Sequence, residues 1–278
     1  MAFRPWLRSY SDCTERVHDM RIAVITGASS GLGREYVKEL NQSHEEIDEI
    51  WAIARRKDRL ADLDKLSRIP VRPLSFDLIE KSSIDALSAL MEKEKPDIRL
   101  LINAAGFGKI GSSVEIGRED TDRMIALNCR AAVDMTFVCI PYMGAGSRIM
   151  EICSTSGFQP FQYLNVYAAS KAFLYRFTRA LRVELLPRKI KVTAVCPYWI
   201  RDTEFIPAAE KAGTGQGKKI RHYPLSSRVH SVAVHSLLDS RLGFAVSTPG
   251  IVCTVHRIAA KVIPAELMMG IWALLRRV

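Results

Sequence analysis

Arg21-Ile-Ala-Val-Ile-Thr26 runs straight into Thr26-Gly-Ala-Ser-Ser-Gly-Leu-Gly33. The first six residues read as a short buried strand. A helical pattern follows at once, with Leu32, Tyr36, Val37 and Leu40 apolar at i, i+4, i+5 and i+8. Glycine lets a backbone turn tightly and approach a pyrophosphate, whose charge then faces the amide groups of a helix N-terminus. The spacing G-x-x-x-G-x-G is a variant of the better-known G-x-G-x-x-G. Many turns carry such glycines, so the weight comes from the position between a strand and a helix. The candidate cofactor-binding residues here are Gly27, Ser29, Ser30, Gly31, Leu32 and Gly33.

Outward from that turn, strands and helices alternate. Glu49–Ala54 reads as a second strand, Lys57–Leu66 as a helix, Val71–Phe76 as a third strand and Ser82–Lys95 as a helix. Ile98–Asn103 is a fourth strand, followed by a helical region over Glu119–Ile140 and a strand over Arg148–Cys153. Tyr167–Leu186 is helical, Lys189–Val195 is a sixth strand and Leu242–Ser247 a seventh. The alternation predicts an α/β fold: a Rossmann-type, doubly wound parallel sheet in a single domain with a C-terminal helical extension. Ligands of such sheets bind beyond the carboxyl ends of the strands, where Gly27, Asp77, Asn103, Ser154 and Pro197 fall. Residues 1–20 are expected to form an N-terminal extension and 21–248 the domain, with a glycine-containing lid over about 204–223. Pro264 is expected to split the tail, 249–278, into two helices.

Tyr167-Ala-Ala-Ser-Lys171 places a phenol and an ammonium at i and i+4, on one helix face. A lysine charge there favours the phenolate and is expected to lower the tyrosine pKa, which suits Tyr167 to general-acid work. Ser154 lies thirteen residues upstream (167 − 154), at the end of the strand Arg148–Cys153. A tyrosine and lysine at this spacing are common on helix surfaces, so the argument depends on their company.

With 48% apolar and 25% charged residues, the chain can build a large core, which argues against disorder. The six scattered cysteines form no C-x-x-C pair; they read as reduced thiols of a cytoplasmic protein. The six histidines are dispersed, and no metal site is expected. The net charge of +10 is spread along the chain without a nucleic-acid-binding motif, so no nucleic-acid partner is expected. A polyanionic cofactor or an anionic membrane surface is the better use of it. Met1–Met20 lacks the apolar core of a secretory signal, and no run of eighteen uninterrupted apolar residues suggests a spanning helix.

Taken in order, T-G-x-x-x-G-x-G, Asp77, Asn103-Ala-Ala-Gly106, Asn128, Ser154, Tyr167 and Lys171 resemble the short-chain dehydrogenase/reductase family over about Arg21–Thr203. The character is that of its hydroxysteroid dehydrogenases and carbonyl reductases. The resemblance implies that Tyr167 exchanges a proton with the substrate oxygen and that Ser154 hydrogen-bonds the same oxygen. It implies that Lys171 tunes Tyr167 and holds the nicotinamide ribose, and that Asn128 completes a proton relay. Asp77 and Leu78 would lie beside the adenine; Asn103, Ala104, Ala105 and Gly106 would lie beside the adenosine ribose and the central sheet. Two departures stand out. Ala104 replaces the family's second asparagine, and Pro197-Tyr198-Trp199 replaces Pro-Gly, so that Thr203, a candidate for the nicotinamide carboxamide, comes one residue late.

A site for NAD usually carries an acid at the end of the second strand, against the ribose 2′-hydroxyl. Here that strand ends Ala54-Arg55-Arg56-Lys57, with Asp48 and Glu49 at its start. Arginine suits a 2′-phosphate, so NADP(H) is expected over NAD(H), with Arg55 the first contact and Arg56 the second. Phe107–Lys109, Gly157–Tyr163, Tyr198-Trp199 and Phe205-Ile206 suggest an apolar pocket for a hydrophobic ketone or alcohol, such as a steroid or bile acid. A 3-oxoacyl thioester reductase is the runner-up, and a non-catalytic NADPH-binding regulator is the alternative from another class. A homodimer or homotetramer packed through the Tyr167 helix and its neighbour is expected. The tail is open to two readings, docking on the domain or lying on a membrane as an amphipathic anchor.

Overall fold

The computed structural model describes residues 20–42, 46–211, 220, 223 and 225–276. Seven parallel strands form one sheet in the order β3-β2-β1-β4-β5-β6-β7. They are β1 (Arg21–Thr26), β2 (Glu49–Ala54), β3 (Val71–Ser75), β4 (Asp97–Asn103), β5 (Arg148–Ile152), β6 (Lys191–Val195) and β7 (Val246–Ser247). The order reverses between β1 and β4, which opens a crevice at the carboxyl edge of the sheet. Among the described residues, ten α-helices accompany the strands: α1 (Gly31–Leu40), α2 (Lys57–Ala61), α3 (Lys81–Glu94), α4 (Ser113–Ile125) and α5 (Ala132–Cys139), then α6 (Asn165–Glu184), α7 (Phe205–Glu210), α8 (Val229–Leu242), α9 (Ile251–Val262) and α10 (Ala265–Leu275).

The strands read as nearly continuous apolar runs because both sheet faces are covered. Alternate residues serve opposite layers. Ala23, Ile25, Ile50 and Ala52 pack with Tyr36, Val37 and Leu40 of α1 and with Ala233 and Leu237 of α8. Ile22, Val24, Trp51 and Ile53 pack instead with Leu87 and Met91 of α3, Met135 and Cys139 of α5 and Leu181 of α6.

The deviations from expectation have local causes. The helical region expected from Glu119 begins at Ser113, because Ser112 and Glu115 form a capping box: Ser112 N–H donates to Glu115 Oε2 (2.7 Å) and Glu115 N–H to Ser112 Oγ (3.3 Å). A π-helical segment, Ala126–Ala131, then separates α4 from α5. The run Ser113–Tyr142 is long and apolar enough to cross a bilayer by length and composition, yet Met135 and Cys139 are fully buried against the sheet. The helix expected over Lys57–Leu66 shortens to α2 and a 3-10 turn, Asp64–Leu66. Leu242 belongs to α8, which went unread, and Gly243 ends that helix at φ +81°, leaving two residues for β7. The tail divides at Pro264 as expected. Most of the N-terminal extension, Cys13 and residues 212–219 of the expected lid lie outside the described residues.

Candidate functional site

The glycine turn is held by close backbone approach. Gly27 has φ +69°, and a Cβ there would lie 2.8 Å from the Ala105 nitrogen; a Cβ on Gly33 would lie 2.7 Å from the Gly27 carbonyl carbon. Thr26 Oγ1 accepts the Ala105 amide (3.1 Å), tying the turn to the end of β4. The open side of Gly31 faces a cleft of about 510 Å3, to which Ser29, Ser30, Leu32, Ala104, Ala105 and Gly106 all contribute. A backbone cradle at the N-terminus of a ten-residue helix fits a pyrophosphate, so these residues could hold a dinucleotide. Leu78 and Pro197 line the same cleft, and Thr203 lies 3.8 Å from the Cβ position of Gly31.

The two arginines at the end of β2 divide their work. Arg55 pairs with Asp77 (3.6 Å) at the cleft's edge. Arg56 turns to the glycine turn, donating to Ser30 Oγ (2.6 Å) and to Ser29 Oγ (3.1 and 3.2 Å). Of the two, Arg56, at the head of α2, is the one that reaches the hydroxyls of the glycine turn. Glu204, from the start of α7, closes the cluster by accepting from Arg56 (3.3 Å) and Arg59 (2.7 and 2.9 Å). Both guanidinium groups hold its carboxyl below the usual carboxylate range, the hydrogen bond from Arg59 most strongly.

At the other end of the cleft, Ser154, Tyr167 and Lys171 converge. Ser154 follows β5 and caps a 3-10 turn, Thr155–Phe158, by accepting the Ser156 amide (3.1 Å). Ser154 lines the cleft with Tyr167 and lowers the pKa of its phenol. Lys171 Nζ lies 5.7 Å from the Tyr167 ring centroid and donates to the Ile152 carbonyl (2.6 Å). The expected fall in the Tyr167 pKa does not occur. Burial of the phenol raises it above the ordinary tyrosine value, against which the neighbouring Ser154 hydroxyl pulls down. Burial lowers the Lys171 pKa as well. Desolvation outweighs attraction because both groups are almost fully enclosed.

Asn128 lies in the π-helical segment, wholly buried and behind the cleft lining. Its amide donates to the Phe107 carbonyl (2.8 Å) and Ser170 Oγ (3.1 Å) and accepts the Phe107 amide (3.0 Å). It therefore clamps the loop after β4 to α6. The Asn103 side chain does not line the cleft either. It points away from the cleft, donating to Glu151 Oε1 (2.8 Å), Thr136 Oγ1 (2.9 Å) and the Ala132 carbonyl (3.2 Å). Glu151 went unremarked, hidden in an apolar strand. It is fully buried, and burial lifts its pKa to about 7 despite hydrogen bonds from Asn103 and Thr136 and the charge of Lys171.

The expected pocket segments separate. Phe107, Phe161, Tyr198, Trp199 and Phe205 line the cleft, and Leu164 joins them. Phe205 lies 5.4 Å from the Tyr167 ring. Phe158 turns instead to Tyr175 and His256. The tail reaches this end: the Trp272 ring packs 5.0 Å from Phe161 and its indole N–H donates to the Gln162 carbonyl (3.4 Å). Away from the cleft, the fold brings together a dispersed cluster of metal-ligand type, Glu35, Glu39 and His230, with His230 Nδ1 2.9 Å from Glu39 and 3.6 Å from Glu35.

A doubly wound parallel sheet with a glycine turn at its reversal point and a serine, tyrosine and lysine beside it defines a dinucleotide-dependent oxidoreductase fold. The short chain dehydrogenase family model matches residues 21–212, and the chain belongs to that family. An uncharacterized oxidoreductase of Staphylococcus epidermidis is 29% identical over 211 residues, covering 75% of this chain and 89% of the relative. The sulfoacetaldehyde reductase of Chromohalobacter salexigens is 32% identical, over 65% of this chain and 72% of its own. A short-chain dehydrogenase from Sphingobium yanoikuyae in complex with NADPH is 27% identical and covers 90% of this chain and 95% of its own, with a TM-score of 0.73. The chain is thus an oxidoreductase of a family whose members bind a nicotinamide cofactor.

Proposed function

We propose that the protein transfers hydride between NADP(H) and an apolar ketone or secondary alcohol, with Ser154, Tyr167 and Lys171 as the proton-transfer site. The observation that carries this reading is the convergence of Ser154, Tyr167 and Lys171 on one wall of the cleft, at its aromatic end. The cofactor supplies the hydride when bound. Tyr167 holds the proton that goes to the substrate oxygen, and its raised pKa keeps it protonated until charge develops on that oxygen. Ser154 donates to the same oxygen as charge develops. Asn128 positions α6 against the loop after β4. Arg56, over Ser29 and Ser30, supports the phosphorylated cofactor. NADPH oxidation is to be followed over steroid-like ketones and 3-oxoacyl thioesters, with Tyr167→Phe as control. Ketone turnover lost about 1,000-fold in the variant supports the proposal. Turnover of thioesters alone favours the runner-up, and NADPH binding without turnover favours a regulator.

Three further readings belong to this proposal. Phe137 of α5 and Phe173 and Val183 of α6 are 40%, 49% and 65% exposed, which supports pairing of two copies through these helices as a dimer or tetramer. The tail docks by Trp272 and His256, while Ile251, Val255, Ile258 and Val262 leave an apolar stripe on the outer face of α9. With Arg257 and Lys261 beside it, that stripe suits an anionic membrane surface; sedimentation with anionic but not neutral vesicles at low salt is the expected result. Free, buried Cys129, Cys139, Cys153, Cys196 and Cys253 support a cytoplasmic location.

A further inference from the structure

We infer that Glu204 is a counter-charge that competes with the 2′-phosphate of NADP(H) for Arg56 and Arg59, and so couples cofactor choice to the segment covering Tyr167. The inference rests on the NADP(H) reading proposed above. Arg56 has one edge on the hydroxyls of Ser29 and Ser30 and its remaining terminal nitrogen 3.3 Å from Glu204. Arg59 reaches both carboxylate oxygens, at 2.7 and 2.9 Å. A guanidinium fork can satisfy a carboxylate or a phosphate, and a phosphate carrying nearly two charges beside Glu204 meets like-charge repulsion. The carboxylate must yield for the arginines to close on the phosphate. Its side chain is 58% exposed, so water can receive it when it swings away.

The coupling follows from chain position. Glu204 is the N-terminal cap residue of α7, and the next residue, Phe205, lies against the Tyr167 ring. The Phe205 Cζ also packs where Gly108 has no side chain, 2.9 Å from where a Cβ would lie, so the ring's seat against Tyr167 moves with the chain at Glu204. Phe205 and Ala208 both line the cleft. Release of Glu204 therefore loosens the wall of the substrate end when, and only when, the 2′-phosphate arrives. An NADH-bound enzyme keeps the ion pair and the tighter wall.

The test uses the full chain, with calorimetric titration of NADPH, NADH and adenosine 2′,5′-bisphosphate into wild type and Glu204→Gln. The variant should bind NADPH and the bisphosphate about five-fold more tightly, since exposed ion pairs are modest, and NADH within about two-fold of wild type. Hydrogen exchange gives a second readout: the bisphosphate should speed exchange of the α7 amides in wild type, and the variant should start at the faster rate. A wild type that prefers NADPH, with a variant that binds it unchanged or more weakly, overturns the counter-charge role while leaving the NADP(H) reading intact. Equal wild-type affinities for NADPH and NADH overturn that reading, and this inference with it.

Discussion

The two ends of the cleft are built by different physics. The glycine end is a matter of backbone: Gly27, Gly33 and Ala105 approach within distances that no side chain can share. Its backbone contacts join the ends of β1 and β4, where Thr26 binds Ala105 directly. The aromatic end is a matter of side chains drawn from distant segments. Phe161 meets Trp272 across more than a hundred residues, and Phe205 meets Tyr167 from the first turn of α7. The first end has few permissible residues at each position, whereas the second has many. A short motif can therefore specify the one, and only the packed tail and loops specify the other.

The sharpest way to break the contrast is Gly33→Ala. Its methyl would press on the Gly27 carbonyl, so unfolding free energy should fall by about 3 kcal/mol and NADPH affinity roughly a hundred-fold. Thermal melting and cofactor titration check both; an unchanged affinity would show that the backbone cradle is not what the cofactor end requires. Trp272→Ala should do the opposite. Losing its contact with Phe161 should raise the substrate KM about ten-fold, roughly 1.4 kcal/mol, with the NADPH dissociation constant held within two-fold. A change confined to cofactor binding would mean that the tail serves the wrong end.

Glu151, buried in β5, should show its effect only through pH. Its folded pKa is raised to about 7, above the ordinary value near 4.3. Between those values the folded state holds a proton that the unfolded chain has released, so its contribution is full below that interval and declines as pH rises through it. The whole decline is on the order of 3 to 4 kcal/mol. In Glu151→Gln, chemical denaturation from pH 5 to 8 should show a flatter profile than wild type. Parallel profiles would mean that Glu151 is ionised throughout.

Much of the molecule was legible beforehand. The βα alternation, the locations of the first six strands and the gathering of Ser154, Tyr167 and Lys171 could be read because they depend on local periodicity and on the fixed geometry of a parallel sheet. The start of α4 was also written in Ser112 and Glu115, a signal that passed unread. The sign of the Tyr167 pKa was not legible, because desolvation depends on enclosure by residues far along the chain. The assignment of Arg56 to the glycine turn and Arg55 to Asp77 was not legible either, since adjacent residues differ only in where the chain turns.

By itself, the sequence determined the sheet, the glycine turn and the order of the chemical groups along the strand ends. Each follows from backbone sterics and apolar periodicity acting over a few residues. The tertiary structure alone decided that Asn103 serves Glu151, that Glu204 closes on Arg56 and Arg59, and that Trp272 completes the aromatic end. Those outcomes turn on burial and charge contacts between segments far apart in the chain, which only the folded packing brings within reach.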